Sequence, residues 1–216
     1  SIAHVPYPTN LAEGDKKRQE ATVLSLLNDL WIAEHCGSLG VVVHFGKVKG
    51  NAPLEGYRQI LTVLQTVLSR WEGNALLLIE NQAGTGGIMG TTFEEMVHIR
   101  RLSGHAQKIG FCFDTCHAFA SGLWSEKNWE KFVESASQSG YFSHLRVVHL
   151  NDSVYPAGSR KDRHANIGKG KMNPEFLRRF LLLPDVRNIP VVLETPPGED
   201  GTHRSEIRLV KQWREE

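Results

Sequence analysis

The chain has only three cysteines in 216 residues, an odd number, with no C-x-x-C pair and no signal peptide. That excludes a disulfide framework and fits a reducing intracellular compartment, cytoplasm or nucleus. No apolar run approaches the ~20 residues that span a bilayer, so neither a membrane span nor a membrane partner is expected. Charge of one sign is lacking too: 25 Lys and Arg face 24 Asp and Glu, a formal net charge of +1. Any affinity for nucleic acid must therefore come from a local patch. Low-complexity tracts and linkers are missing, so residues 1–216 read as one domain. What is present in unusual number is histidine, ten in all.

Six short runs, at residues 1–5, 40–45, 75–80, 108–114, 145–150 and 190–194, are nearly continuous in Val, Ile, Leu and Phe. Strands covered on both faces of a parallel sheet show this pattern. Helical periods lie between them. Val23, Leu26, Leu27, Leu30 and Trp31 form one stripe, and Ile60, Leu61, Leu64, Val67 and Leu68 another. "TFEEMVHIRRL" opens with a capping threonine and acids, "NPEFLRRFLLL" with Asn173-Pro174. Strand and helix alternate throughout, the order of an α/β fold built either as an open doubly wound sheet or as a (β/α)8 TIM barrel.

The strand ends decide between the two. The six runs end near His4, His44, Glu80, Asp114, His149 and Glu194. In a barrel the C-terminal strand ends converge on one site, whereas an open sheet spreads them along a line. Three imidazoles and three carboxylates crowded into one mouth need neutralising, since unpaired buried charges cost several kcal/mol each. A divalent cation does this, and mixed His and Asp/Glu ligation suits zinc first and manganese second. His117, three residues after Asp114, and the pair Asp162 and His164 offer further ligands around the same mouth.

"FDTCHAFASG", "HLNDS", "GSRKDRHANIGKG", "LLIENQAGTGG", "VVHFG" and "LETP" together resemble the endonuclease IV family of apurinic/apyrimidinic endonucleases. The resemblance implies a TIM barrel beginning at about its third βα unit, with six of eight units here. It also implies three Zn²⁺, with Mn²⁺ as an alternative at one site. His4, His44 and Glu80 would hold the first ion; Glu80, Asp114, His149 and Glu194 the second; His117, Asp162 and His164 the third. The implied activity is hydrolysis of the phosphodiester 5′ to an abasic site, leaving a 3′-hydroxyl and a 5′-deoxyribose phosphate, with trimming of blocked 3′ ends. Glu80 would also orient the nucleophile as the catalytic residue. The implied partner is double-stranded DNA containing abasic sites, engaged by a monomer. Tyr7 matches a position near the abasic gap, and Arg160, Lys161, Arg163 and Lys169 are candidates for phosphate contacts. One local departure is "HFGK", where the family commonly has His-Pro-Gly.

Two weaker signals are set aside. "GTGGIMG" places Met89 where a dinucleotide fingerprint needs its last glycine, and Lys169 is followed by Gly170 rather than by the Ser or Thr of a P-loop. Two rival functions stand beside the nuclease. One is a mononuclear sugar isomerase or epimerase, which needs only Glu80, Asp114, His149 and Glu194. The other is a non-catalytic, metal-stabilised DNA-binding fragment.

Overall fold

The computed structural model describes residues 1–6, 9–48 and 52–215. Strands β1 (Ala3–His4), β2 (Gly40–His44), β3 (Leu76–Glu80), β4 (Ile109–Asp114), β5 (Leu145–His149) and β8 (Val191–Val192) form one parallel sheet in that order. A separate antiparallel pair, β6 (Asp152–Ser153) with β7 (His164–Ala165), follows β5. Helices α1 (Lys16–His35), α2 (Pro53–Arg70), α3 (Phe93–Leu102), α4 (Thr115–Ser121), α5 (Trp129–Ser139), α6 (Pro174–Leu181) and α7 (Arg204–Glu215) fill the connections.

The sheet curls like a barrel. His4 on β1 and His149 on β5 stand four strand positions apart, roughly 19 Å in a flat sheet. Their ring centroids lie 6.0 Å apart. Inside the curl Val42, Leu78, Cys112 and Val147 pack together, while Val41, Val43, Leu77, Ile79, Phe111 and Phe113 face the helices. Alternation between these two apolar faces explains why the strands read as unbroken hydrophobic runs.

Local signals set the helices as expected. Thr92 caps α3 by accepting the Glu95 N–H at 3.3 Å, and Asn173 caps α6 with Pro174 at its first position. Two expectations need correction. The outer runs shorten to two residues each, β1 and β8, because each has a single neighbour in the sheet. In α1 the buried stripe is Val23, Leu26, Leu30 and Ala33, whereas Trp31 is 55% exposed with its ring centroid 4.0 Å from that of His35.

Candidate metal centre

Period-two alternation carries the strand-end side chains into one place. The residues that fill the interior, Val42, Leu78, Cys112 and Val147, are each followed two positions later by His44, Glu80, Asp114 and His149. These polar groups therefore sit one layer above the inner core, at the C-terminal mouth. Glu80 and Asp114 are fully buried and His149 nearly so.

Glu80 is the hub. Its Oε2 lies 3.4 Å from His4 Nε2 and 3.3 Å from His44 Nε2, and its Oε1 lies 3.2 Å from His149 Nδ1 and 3.4 Å from His117 Nδ1. Each oxygen thus faces a different pair of imidazoles. His149 Nδ1 is also 3.0 Å from Glu194 Oε2.

His117 enters from the first turn of α4. Asp114 caps that helix, its Oδ1 accepting the His117 N–H at 2.6 Å, and so brings the two side chains to the same mouth. His117 Nε2 then meets Asp162 Oδ2 at 3.2 Å, and His164 Nε2 approaches Asp162 Oδ1 at 3.5 Å. Ligand atoms of His4, His44 and Glu80 lie within 4.8 Å of one another. So do those of Glu80, Asp114, His149 and Glu194, and those of His117, Asp162 and His164. An open cavity of about 260 Å³ is lined by six of these residues, His4, His44, His117, Asp162, His164 and Glu194.

Three of the rings are oriented alike. His4, His117 and His164 direct Nδ1 to the main-chain carbonyls of Val5, Asn81 and Glu194 at 2.9, 3.0 and 3.2 Å. With Nδ1–H donated there, each Nε2 is left to face a carboxylate oxygen, of Glu80, Asp162 and Asp114 respectively. Each such contact needs positive charge, either a proton on Nε2 or a cation between nitrogen and oxygen. His164 Nε2 is moreover buried with no hydrogen-bond partner. A ring nitrogen oriented by a backbone carbonyl behind it is the usual state of a metal-ligating histidine. The nitrogen and oxygen donors present therefore fit divalent cations.

With no cation bound, protons supply the positive charge. Burial opposes ionisation of Glu80, yet His149, His117 and His4 hold its carboxyl well below the usual carboxylate range. Burial likewise opposes a charged His117, but Asp114, Asp162 and Glu80 push that imidazole well above its ordinary value. Burial pushes the neighbouring Cys112 and Cys116 thiols up to about 12, although Cys112 also lies within 4.8 Å of ligand atoms of Glu80 and His149, and Cys116 of those of Asp114 and His164. His35, His98, His105, His144 and His203 join none of the ligand groups found among the described residues.

The glycine-rich stretch after β6 has an unexpected centre. Asp152, fully buried, accepts the N–H groups of Ser153 and Met172 on Oδ1 and those of Gly168 and Gly170 on Oδ2, at 2.7–3.1 Å. A Cβ on Gly170 would collide with that carboxylate. These amides cradle the protein's own anion, so they are not a phosphate-binding nest.

Of the candidate DNA contacts, Arg160, Lys161, Arg163 and Lys169 are all exposed, and Tyr7 lies outside the described residues. Arg160 adopts the left-handed region, φ 55°, with its N–H on Ala120 O and its carbonyl receiving the Thr85 hydroxyl at 3.0 Å. It lines a groove with Lys47, Thr85 and Ile88. A second cleft, shared by Lys47, Thr85, His44, His117 and Asp162, reaches the candidate metal centre. Lys161 instead rests over the Tyr155 ring, 5.0 Å from its centroid. Sequence reasoning gave no role to Asn81, Asn151, Asp152, Glu206 or Lys47. The first two lie one and two residues beyond Glu80 and His149, and that adjacency was the available signal.

Residues 2–213 match the family model described as xylose isomerase-like TIM barrel. A probable endonuclease 4 of Symbiobacterium thermophilum is 42% identical over 98% of this chain and 76% of its own length. The crystal structure of endonuclease IV from Thermus thermophilus superposes with a TM-score of 0.80 at 31% identity, over 99% of this chain and 75% of that one. A D-tagatose 3-epimerase-like protein gives a TM-score of 0.76 at 20% identity over 99% of this chain and 76% of its own, a likeness of fold alone.

Proposed function

Since the chain belongs to the xylose isomerase-like TIM barrels and, among them, to the endonuclease IV family, we propose that it hydrolyses the phosphodiester 5′ to an abasic site in double-stranded DNA. The products are a 3′-hydroxyl and a 5′-deoxyribose phosphate, and blocked 3′ ends are trimmed by the same chemistry. The cofactor is zinc, three ions per monomer, two in the ligand groups that share Glu80 and one in the adjoining His117–Asp162–His164 group.

One observation carries this reading: three imidazoles, each oriented by a main-chain carbonyl, present Nε2 to carboxylates around the shared Glu80. Bound divalent cations supply Lewis acidity there, bring the pKa of water to about 7 and stabilise attacking and leaving oxygens together. The chain's own groups do the rest. Glu80 ties the His4/His44 side of the mouth to the His149/Glu194 side and orients the attacking water. Lys47 and Arg160 add positive charge along the groove that leads away from the mouth, where a sugar-phosphate backbone would run. A mononuclear isomerase needs only Glu80, Asp114, His149 and Glu194. The five further groups in the same mouth favour the nuclease.

The test is incision of a duplex carrying one abasic site. Chelator should abolish it and zinc restore it. Full incision in chelator by protein shown metal-free by elemental analysis overturns the proposal. Sugar epimerisation without incision selects the isomerase, and metal binding without either activity selects the DNA-binding fragment.

A further inference from the structure

Asp114 and Glu194 belong to one ligand group but reach it from very different supports. Asp114 ends a six-residue strand, whereas Glu194 lies two residues beyond the two-residue β8. Two carboxylates brought together repel, and the ladder between β5 and β8 ends with the Leu150 N–H on Val192 O. Past that bond the backbone of Glu194 needs another anchor.

Asn151 is that anchor. Its Oδ1 accepts the Glu194 N–H at 2.9 Å. Its Nδ2 donates to Asp114 Oδ2 at 2.6 Å and stands 3.5 Å from Glu194 Oε2. The Thr115 hydroxyl pins the Asn151 main chain from both sides, accepting its N–H at 2.8 Å and donating to its carbonyl at 2.7 Å. Asn151 and Thr115 are fully buried. A neutral amide suits this place, because it donates to both carboxylates without adding charge and accepts a backbone N–H with its other end.

We infer that Asn151 is the positioning residue of the Glu80–Asp114–His149–Glu194 group, holding carboxylates from β4 and from beyond β8 on one cation. This rests on the metal reading proposed above. Partners behind metal ligands change affinity by roughly 10- to 100-fold when removed. Asn151→Ala should therefore weaken one equivalent of metal by about that factor while the other equivalents stay.

The experiment titrates zinc-loaded protein with chelator and counts retained metal by elemental analysis, alongside thermal unfolding. Asn128→Ala is the control. Its amide caps a distant turn through Ser125, Gly122 and Leu123, so it should lower stability and leave metal retention unchanged. Selective early loss of one equivalent from Asn151→Ala supports the inference, and retention equal to the unsubstituted chain overturns it. If Asn151→Ala does not fold, Thr115→Val tests the same point: a smaller loss of the same equivalent supports it, and no loss overturns it. An unsubstituted chain that holds no metal overturns the metal reading itself and this inference with it.

Discussion

The two sides of the candidate metal centre are held by different physics. On the strand side, His44, Glu80, Asp114 and His149 end regular parallel strands, and their placement follows from ladder register: His44 pairs with Glu80 and Asp114 with His149. On the rim side, Asp162, His164 and Glu194 sit on a two-residue strand or on loops. Their positions depend on two buried acids that are not themselves ligands. Asp152 gathers the amides of residues 168–172. Glu206 on α7 accepts the Ile167 N–H at 2.8 Å, the Asn166 amide at 3.0 Å and the Thr195 hydroxyl at 2.9 Å. Asn166 follows His164 by two residues and Thr195 follows Glu194 directly, so one carboxylate ties both segments to the helix. Candidate ligands on strands come with the fold, whereas candidate ligands on loops need dedicated anchors.

The largest expected effect lies on the strand side. Glu80→Gln removes the charge that four imidazoles share, and kcat for abasic-duplex incision should fall on the order of 10³-fold, as loss of a central charge-stabilising group does. A fall of less than tenfold would show that the rim groups suffice. On the rim side, Gly170→Ala forces a methyl group into the Asp152 carboxylate and should cost about 1–3 kcal/mol by overpacking, read as a lower unfolding midpoint in denaturant. Metal at the His117–Asp162–His164 group should weaken with it, while the His4–His44–Glu80 group keeps its ion. Loss of both together would break the division between the two sides.

Glu206→Gln sharpens the comparison through pH. Burial opposes ionisation of Glu206, but the Ile167 N–H, the Asn166 amide, the Thr195 hydroxyl and His203 together hold its carboxyl below the usual range. A group whose folded value is depressed contributes stability above its unfolded value, about 4.3, and loses it as pH falls through the folded value. The stability gap between the unsubstituted chain and Glu206→Gln should thus be full at pH 7 and shrink only as pH falls beneath the unfolded value toward the folded one. A gap that persists into acid would mean that shape rather than charge anchors the loop. The smallest effect concerns Lys169, whose side chain is exposed on that anchored loop. Lys169→Ala should leave stability unchanged and reduce the salt slope of DNA binding by about 0.9 if it meets one phosphate.

Much of this was legible in the residues. The six strands, the capped starts of α3 and α6, and the nine candidate ligands follow from period, caps and spacing together with motif resemblance. Trp31 was misplaced because a 3.6-residue stripe is wide enough to be rotated by one position, and only packing against α2 and β2 selects the buried edge. Asn151, Asp152 and Glu206 were passed over for another reason. Buried polar residues declare their role through partners 16 to 43 positions away in sequence, and no local pattern encodes those.

What the sequence by itself determined is the inventory: alternating strands and helices, with donors at the strand ends, because side-chain period is a local property of the backbone. Only the tertiary structure decided that the sheet curls until His4 and His149 nearly touch, that Glu80 divides its two oxygens between opposite imidazole pairs, and that the glycine-rich loop closes on Asp152 rather than on a phosphate. Each of these depends on distances between segments far apart in the chain, and those distances are set when the core packs.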